Sequence, residues 1–220
     1  MNLNKHLDFF NPALVTEPIH IIGCGALGSH IAELLVRLGC DNIHLWDFDI
    51  VEAHNITNQL FVHNQIGQEK TKALDELLHA INPTLVTKLH GKYEMQNLSG
   101  YVFIPVDSID LRRDIVTHLL DNSYVKAIFD ARMRLTDAQS YAADWSIPAH
   151  KEALLNTMQF TSEEAKEATP VSACGTALSV TPTVHTVASV TVSNFINLML
   201  GKELMQIILL DAFSYNLNAF

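Results

Sequence analysis

The chain has 220 residues, 48% of them hydrophobic and 17% charged. That balance supports a sizeable buried core and excludes a disordered chain or a miniature scaffold. Its 14 Lys and Arg against 24 Asp and Glu give a net charge of −10, which repels a phosphate backbone and argues against nucleic acid as a partner. The three cysteines, Cys24, Cys40 and Cys174, are scattered and form no C-x-x-C pair, so a reducing, cytoplasmic setting without disulfides or structural zinc is expected.

The N-terminus MNLNKHLDFF has no apolar leader core, so no signal peptide is expected. The apolar run Ile19 to Ile22 reads as a strand that ends in glycines, and Leu27, Ile31, Leu34, Leu35 and Leu38 recur at helical spacing up to Gly39. Ile43 to Trp46 reads as a second strand ending at Asp47, completing a strand, helix, strand unit of the parallel kind. The polar stretch that follows, to Lys70, is long for a connection inside a domain and is a candidate functional loop. A helix through Leu74, Leu77, Leu78 and Ile81 stops at Asn82-Pro83. Strands are expected at Leu85 to Leu89, Tyr101 to Val106 and Val125 to Asp130, with a helix through Leu111, Ile115 and Leu119.

Past Asp130 the pattern loosens. Gln139 to Ala143 and Ile207 to Leu210 read as strands, Ser162 to Ala168 as a short helix, and Val184 to Leu200 as a long one. That last stretch is interrupted by His185, Thr186, Ser189, Asn194 and Asn197, which makes it a buried helix and not a membrane span. The expected fold is therefore a single α/β domain over 1–220, with a Rossmann-like, doubly wound, mostly parallel sheet. A nucleotide-binding core over 1–135 is followed by an extension over 136–220 that completes the sheet and offers a dimer or acceptor surface.

Gly23-Cys24-Gly25-Ala26-Leu27-Gly28 is a G-x-G-x-x-G between a strand and a helix, the context in which glycines let backbone N–H groups and a helix N-terminus approach a phosphate. Asp47, 19 positions after Gly28, is placed to accept from a ribose hydroxyl pair. These features point to an adenosine nucleotide and leave ATP, NAD and FAD open.

Asp47, Asp49, Val51, Asn55, Gln59, Ile66, Gly67 and Lys70, in that order and followed by Ile81-Asn82-Pro83, resemble the ThiF/MoeB/HesA family, relatives of the ubiquitin-activating enzymes. The resemblance runs from about Ile19 to Arg112. It implies ATP binding and adenylation of the C-terminal carboxylate of a ubiquitin-like protein or peptide, with pyrophosphate release. It implies Asp47 on the ribose, with Asn55 and Lys70 near the triphosphate. Asp107 is implied as the magnesium ligand, with Ser108 beside it and Arg112 five residues on. Bland alternatives stand beside these roles: a solvated lysine at 70, an Asp107 that only caps the next helix, a turn role for Asn55 and a structural role for Asp49.

The family's Asn-x-x-Arg-Gln element carries Asn58 in place of its Arg, and the first arginine of the chain is Arg37. Arg132 and Arg134 lie past a central strand, on one side of the chain if the strand continues. One of them is a candidate for the missing phosphate or carboxylate partner, the alternative being a solvated surface pair. Cys174 is the candidate thioester nucleophile outside the nucleotide fold, with a buried inert thiol as its alternative; Cys24 and Cys40 are expected to pack. A homodimer is the expected assembly. Rival readings are a non-catalytic scaffold that binds nucleotide or protein, favoured by Asn58, and a nicotinamide- or flavin-dependent oxidoreductase, favoured by the glycine loop alone.

Overall fold

The computed structural model describes residues 1–173 and 178–220. The chain order is β1 (Ile19–Ile22), α1 (Ala26–Arg37), β2 (Ile43–Trp46), α2 (Lys70–Ile81), β3 (Thr87–His90), β4 (Gly100–Phe103), α3 (Ile109–Leu119) and β5 (Val125–Arg134). It continues with β6 (Asp137–Asp144), α4 (Pro148–Asn156), α5 (Ser162–Ala168), α6 (Thr181–Met199), β7 (Ile207–Asp211) and β8 (Leu217–Ala219). The eight strands form one sheet in the order β3-β2-β1-β4-β5-β6-β7-β8. From β3 to β5 all pairings are parallel, and from β5 to β8 they are antiparallel. The doubly wound, mostly parallel sheet expected from the sequence is thus the fold observed.

The sheet is covered on both sides. On one, α1, α2 and α6 contribute Leu27, Ile31, Leu35, Leu74, Leu78, Val184 and Phe195 to a core with Ile21, Phe103 and Phe129. On the other, α3 and α4 contribute Ile115, Leu119 and Leu154 to a core with Ile22, Val102 and Ile128. Central strands buried on both faces explain why their sequences are apolar runs without clean alternation. Phe195 stands edge-on to Phe103 and Phe129, with ring centroids 5.6 and 5.7 Å away. These rings tie α6 to the parallel half of the sheet, and burying each contributes about 1.5–3 kcal/mol. No helix among the described residues is long and apolar enough to cross a membrane.

Helix α1 stops where its sequence says it should. Gly39 takes φ +87°, and the N–H groups of Gly39 and Cys40 return to the carbonyls of Val36 and Leu35 at 2.9 and 3.0 Å, which closes the helix in a Schellman arrangement. Elsewhere the expectations need correction. The strand expected to end at Asp130 runs on to Arg134, because β6 pairs with it residue by residue through Arg134↔Asp137. Helix α4 and strand β8 were not expected: α4 starts at a proline and lacks a clean apolar period, and β8 is a three-residue edge strand. The link from β3 to β4 contains no helix, and over β1 to β3 that face carries the packed rings of His20, His44, Trp46 and His90, with Tyr93 of the link edge-on to Trp46 and His20 and Trp46 buried.

The strand order reverses at β1, whose neighbours β2 and β4 lead away in opposite directions. The crevice beyond the carboxyl ends of β1 and β4 is the topological switch point at which ligands bind in open α/β sheets.

Candidate active site at the switch point

The glycine turn occupies this crevice. Gly23 has φ +102° and donates its N–H to the Trp46 carbonyl at 2.8 Å. A Cβ on Gly28 would lie 1.8 Å from the Gly23 carbonyl oxygen, so only glycine lets the first turn of α1 sit against the loop. Gly25 is the cap of α1 and supplies no side chain to its free N–H groups, those of Ala26 and its successors. The nearest atom to a Cβ built on Gly25 is Gln59 Nε2 at 4.0 Å, which leaves room for a ligand at the positive end of the helix. Gln59 also carries a buried Oε1 with no partner among the described residues. An open helix N-terminus with the Gln59 Nε2 donor beside it fits a phosphate chain.

Asp47 follows β2 and is half-buried. Its Oδ2 accepts from the Cys24 N–H at 2.7 Å and its Oδ1 from the Asp49 N–H at 2.8 Å. The carboxylate is thereby locked to the glycine turn, with lone pairs left for further donors. The Cys24 thiol is fully buried; burial first, and the Asp47 charge second, push it well above the ordinary thiol range. Cys24 is therefore an inert packing group, and Cys40, pushed up to about 12 by burial, is another. Cys174 lies outside the described residues.

Lys70 opens α2. It is buried rather than solvated, and its Nζ pairs with Asp49 Oδ2 at 2.8 Å while its N–H donates to the Asp49 carbonyl at 2.9 Å. Asp49 itself is half-exposed. Asn55 is buried in a 3₁₀ turn over Ala53–Thr57, where its side-chain oxygen accepts from the Glu52 N–H at 2.9 Å; it realises the turn role. Asn58 donates to Ser179 Oγ at 2.9 Å, so the position that carries an arginine in the family joins this segment to the chain ahead of α6.

Beyond β4, Ser108 caps α3 by accepting from the Leu111 N–H at 3.2 Å. The helix cap is therefore Ser108, and Asp107 is left exposed, with no hydrogen bond or ion pair among the described residues. Arg112 is buried. Its Nη2 donates to the Val106 carbonyl, and its Nη1 reaches the Ile104 and Ala131 carbonyls at 2.9 and 3.0 Å and the Asp130 carboxylate. Burial lowers this guanidinium from its ordinary range, while Asp130, with a smaller contribution from Asp107, works to keep it charged.

Arg132 and Arg134 share a side of β5, as alternation requires, yet their surroundings differ. Arg132 is buried, with Nε and Nη2 on Asp130 Oδ2 at 2.8 and 2.5 Å, Nη1 and Nη2 on the Thr157 carbonyl and hydroxyl, and its guanidinium 4.2 Å from the Tyr141 ring. It is neither a solvated residue nor one with its donors directed outward. Arg134 is half-exposed and pairs with Asp137. The structure therefore brings Gly23, Gly25, Asp47, Gln59 and Asp107 to one crevice and commits Arg112 and Arg132 to internal partners. Sequence reasoning missed Asp130, the fully buried carboxylate between them; its only signal was an acidic residue inside an apolar strand.

Residues 12–219 match the ThiF family. The chain belongs to the ThiF family. This ThiF-family chain is 40% identical over 81 residues to ubiquitin-like modifier-activating enzyme 5 of Dictyostelium discoideum, covering 37% of itself and 21% of that protein. It is 31% identical over 130 residues to the Xenopus laevis enzyme of the same name, covering 56% and 31%. It thus spans between about a fifth and a third of the length of these curated relatives. Among solved structures, E. coli MccB with succinimide superposes at a TM-score of 0.72 and 15% identity, over 95% of this chain and 65% of that one. PaaA superposes at 0.73 and 14%, over 95% and 74%, and MccB with ATP at 0.71 and 16%, over 94% and 64%. At these identities the likeness is one of fold.

Proposed function

We propose that this ThiF-family protein binds ATP with magnesium and adenylates a carboxylate, the C-terminal one of a ubiquitin-like protein or peptide. The carrying observation is the meeting, at one switch point, of an uncapped helix N-terminus, a carboxylate locked at the end of β2 and a second, unpartnered carboxylate past β4. Membership of the family supports the reading, as do relatives named for activating ubiquitin-like modifiers and a fold neighbour crystallised with ATP.

The residues divide the work by their chemistry. The first-turn N–H groups of α1, from Ala26 on, hold phosphate, and Asp47 accepts from ribose hydroxyls. An acceptor carboxylate oxygen attacks the α-phosphorus, the bond from that phosphorus to the bridging oxygen breaks, and pyrophosphate leaves with the electron pair. Negative charge grows on phosphoryl oxygens throughout, and Lys70 offsets it on leaving Asp49. Asp107, a hard oxygen donor free of other partners, suits magnesium, which supplies further charge neutralisation when bound. Arg112 and Ser108 act through the Asp107 backbone, Asn55 and Asn58 through the loop that walls the site, and Arg132 through Asp130.

ATP/pyrophosphate exchange tests the reading, run with candidate acceptor tails. Exchange that depends on the acceptor and is lost in Asp107→Ala is the expected result; absence of ATP binding would overturn it. The scaffold alternative draws on one specific observation, that Arg112 and Arg132 spend their donors inside the protein. Tight ATP binding without exchange would select it. A homodimer remains our expected assembly, and light scattering should return about twice the 24.5 kDa chain mass.

A further inference from the structure

We infer that Asp130 is a positioning residue that sets the divalent-cation affinity of the Asp107 site through Arg112, an inference that rests on the proposed ATP and magnesium reading. Asp130 sits within β5, one strand away from the loop that carries Asp107, and is fully buried. Its two oxygens divide between two guanidinium groups: Oδ1 takes Arg112, and Oδ2 takes Nε and Nη2 of Arg132 at 2.8 and 2.5 Å.

This arrangement fixes the Arg112 side chain, and Arg112 in turn holds the peptide next to Asp107. Its Nη2 donates to the Val106 carbonyl, which belongs to the same peptide unit as the Asp107 N–H, and its Nη1 holds the Ile104 carbonyl two residues earlier. On the far side Ser108 is pinned as the cap of α3. The Asp107 backbone is thus fixed from both directions while its carboxylate stays exposed and unpartnered, the form of a preorganised ligand. The Val106 side chain also lies beside the glycine turn, 3.2 Å from where a Gly23 Cβ would stand.

Charge leads to the same assignment. Arg112 and Arg132 are two buried cations within reach of one carboxylate, and their mutual repulsion lowers the Arg112 guanidinium further. With Asp130 neutralised, Arg112 keeps only the Ala131 carbonyl on β5, at 3.0 Å, and no anion there; its route to relief is a shift toward the exposed Asp107 carboxylate. A guanidinium there would compete with a divalent cation for the same oxygens. Thr157, which receives Arg132 at its carbonyl and hydroxyl, holds the second cation away from this exchange.

The test is ATP affinity of the full chain by calorimetry, with magnesium and with EDTA, together with near-UV circular dichroism and the melting temperature. In wild type, magnesium should tighten ATP binding, and Asp107→Ala should remove that enhancement. In Asp130→Asn, EDTA affinity should stay within about twofold while the magnesium enhancement falls by roughly 10–100-fold, the range for partners of metal ligands. Asp130→Glu should recover part of it. A folded Asp130→Asn protein with full enhancement overturns the inference and leaves the ATP reading standing. Absence of ATP binding, or of any enhancement in wild type, overturns the parent reading instead. If Asp130→Asn does not fold, Arg112→Lys carries the same test, since one ammonium cannot span Asp130 and the Val106 carbonyl; unchanged enhancement there overturns the inference.

Discussion

Lys70 shows how one side chain's role depends on its partner. Its ammonium is buried and held by a half-exposed carboxylate, so transfer from Asp49 to a phosphate exchanges one anion for another at small desolvation cost. Lys70→Met should lower the ATP/pyrophosphate exchange rate by roughly 10²–10³-fold, the effect of removing one donor to a developing oxyanion. Its melting temperature should stay close to wild type, because Asp49 regains water; a large loss of stability with little change in exchange would contradict the assignment. Gly28 makes a steric demand of a different kind. A methyl group there meets backbone, the Gly23 carbonyl at 1.8 Å, which no rotamer change relieves. Gly28→Ala should lose about 1–3 kcal/mol in urea unfolding and weaken ATP binding at the same time, because α1 must retreat from the turn. Unchanged nucleotide affinity would show that the turn does not hold phosphate.

Among the elements, α6 carries the join between the two halves of the sheet. One face meets Phe103 and Phe129 of the parallel half, and Thr191 donates to Ser140 of β6 at 2.9 Å. The exit to β7 is set by Asn194, whose buried carboxamide donates to the Met205 carbonyl at 2.7 Å and accepts from its N–H at 3.0 Å. The side chain replaces a strand neighbour for one residue. Asn194→Leu keeps the volume and leaves both Met205 groups unpaired, so a loss of about 1–3 kcal/mol per orphaned group is expected in equilibrium unfolding. A neutral result would mean that water reaches Met205. The same helix shows what periodicity conveys: its apolar positions marked Val184 to Leu200 in advance, whereas its first turn, Thr181-Pro182-Thr183, is evident only where Thr181 bonds to the Thr57 carbonyl.

Across the whole molecule, the histidines packed over β1 to β3 make folding sensitive to acid. Burial, followed by its neighbours His44 and His90, holds His20 down to about 3, and burial followed by Lys88 holds His44 down to about 4. Both groups have a folded pKa below the unfolded value of 6.5, so between those limits the unfolded chain binds more protons. Their contribution is complete above about pH 6.5 and falls as pH drops toward 4 and 3, with a slope approaching roughly 1.4 kcal/mol per pH unit for His20 and less for the partly exposed His44. Urea midpoints taken from pH 7 to 5, above most carboxylate titration, should fall steadily, and His20→Phe should flatten the curve. A flat wild-type curve would refute the account.

Much of this was legible in the residues because the signals were local. Gly23 to Gly28 between an apolar run and a helical period marks a tight strand-to-helix turn, and Asp47 and Lys70 keep fixed offsets from it. The alternation of strands and helices up to Asp130 determined a parallel, doubly wound sheet. Tertiary structure alone decided which charges face the crevice. Arg112, Arg132 and Asp130 lie up to 20 positions apart in sequence, and no spacing rule states that two arginines will turn inward onto one carboxylate while Asp107 stays free. Burial and pairing are properties of neighbours brought together by the fold, whereas turns, caps and periods are properties of the chain itself.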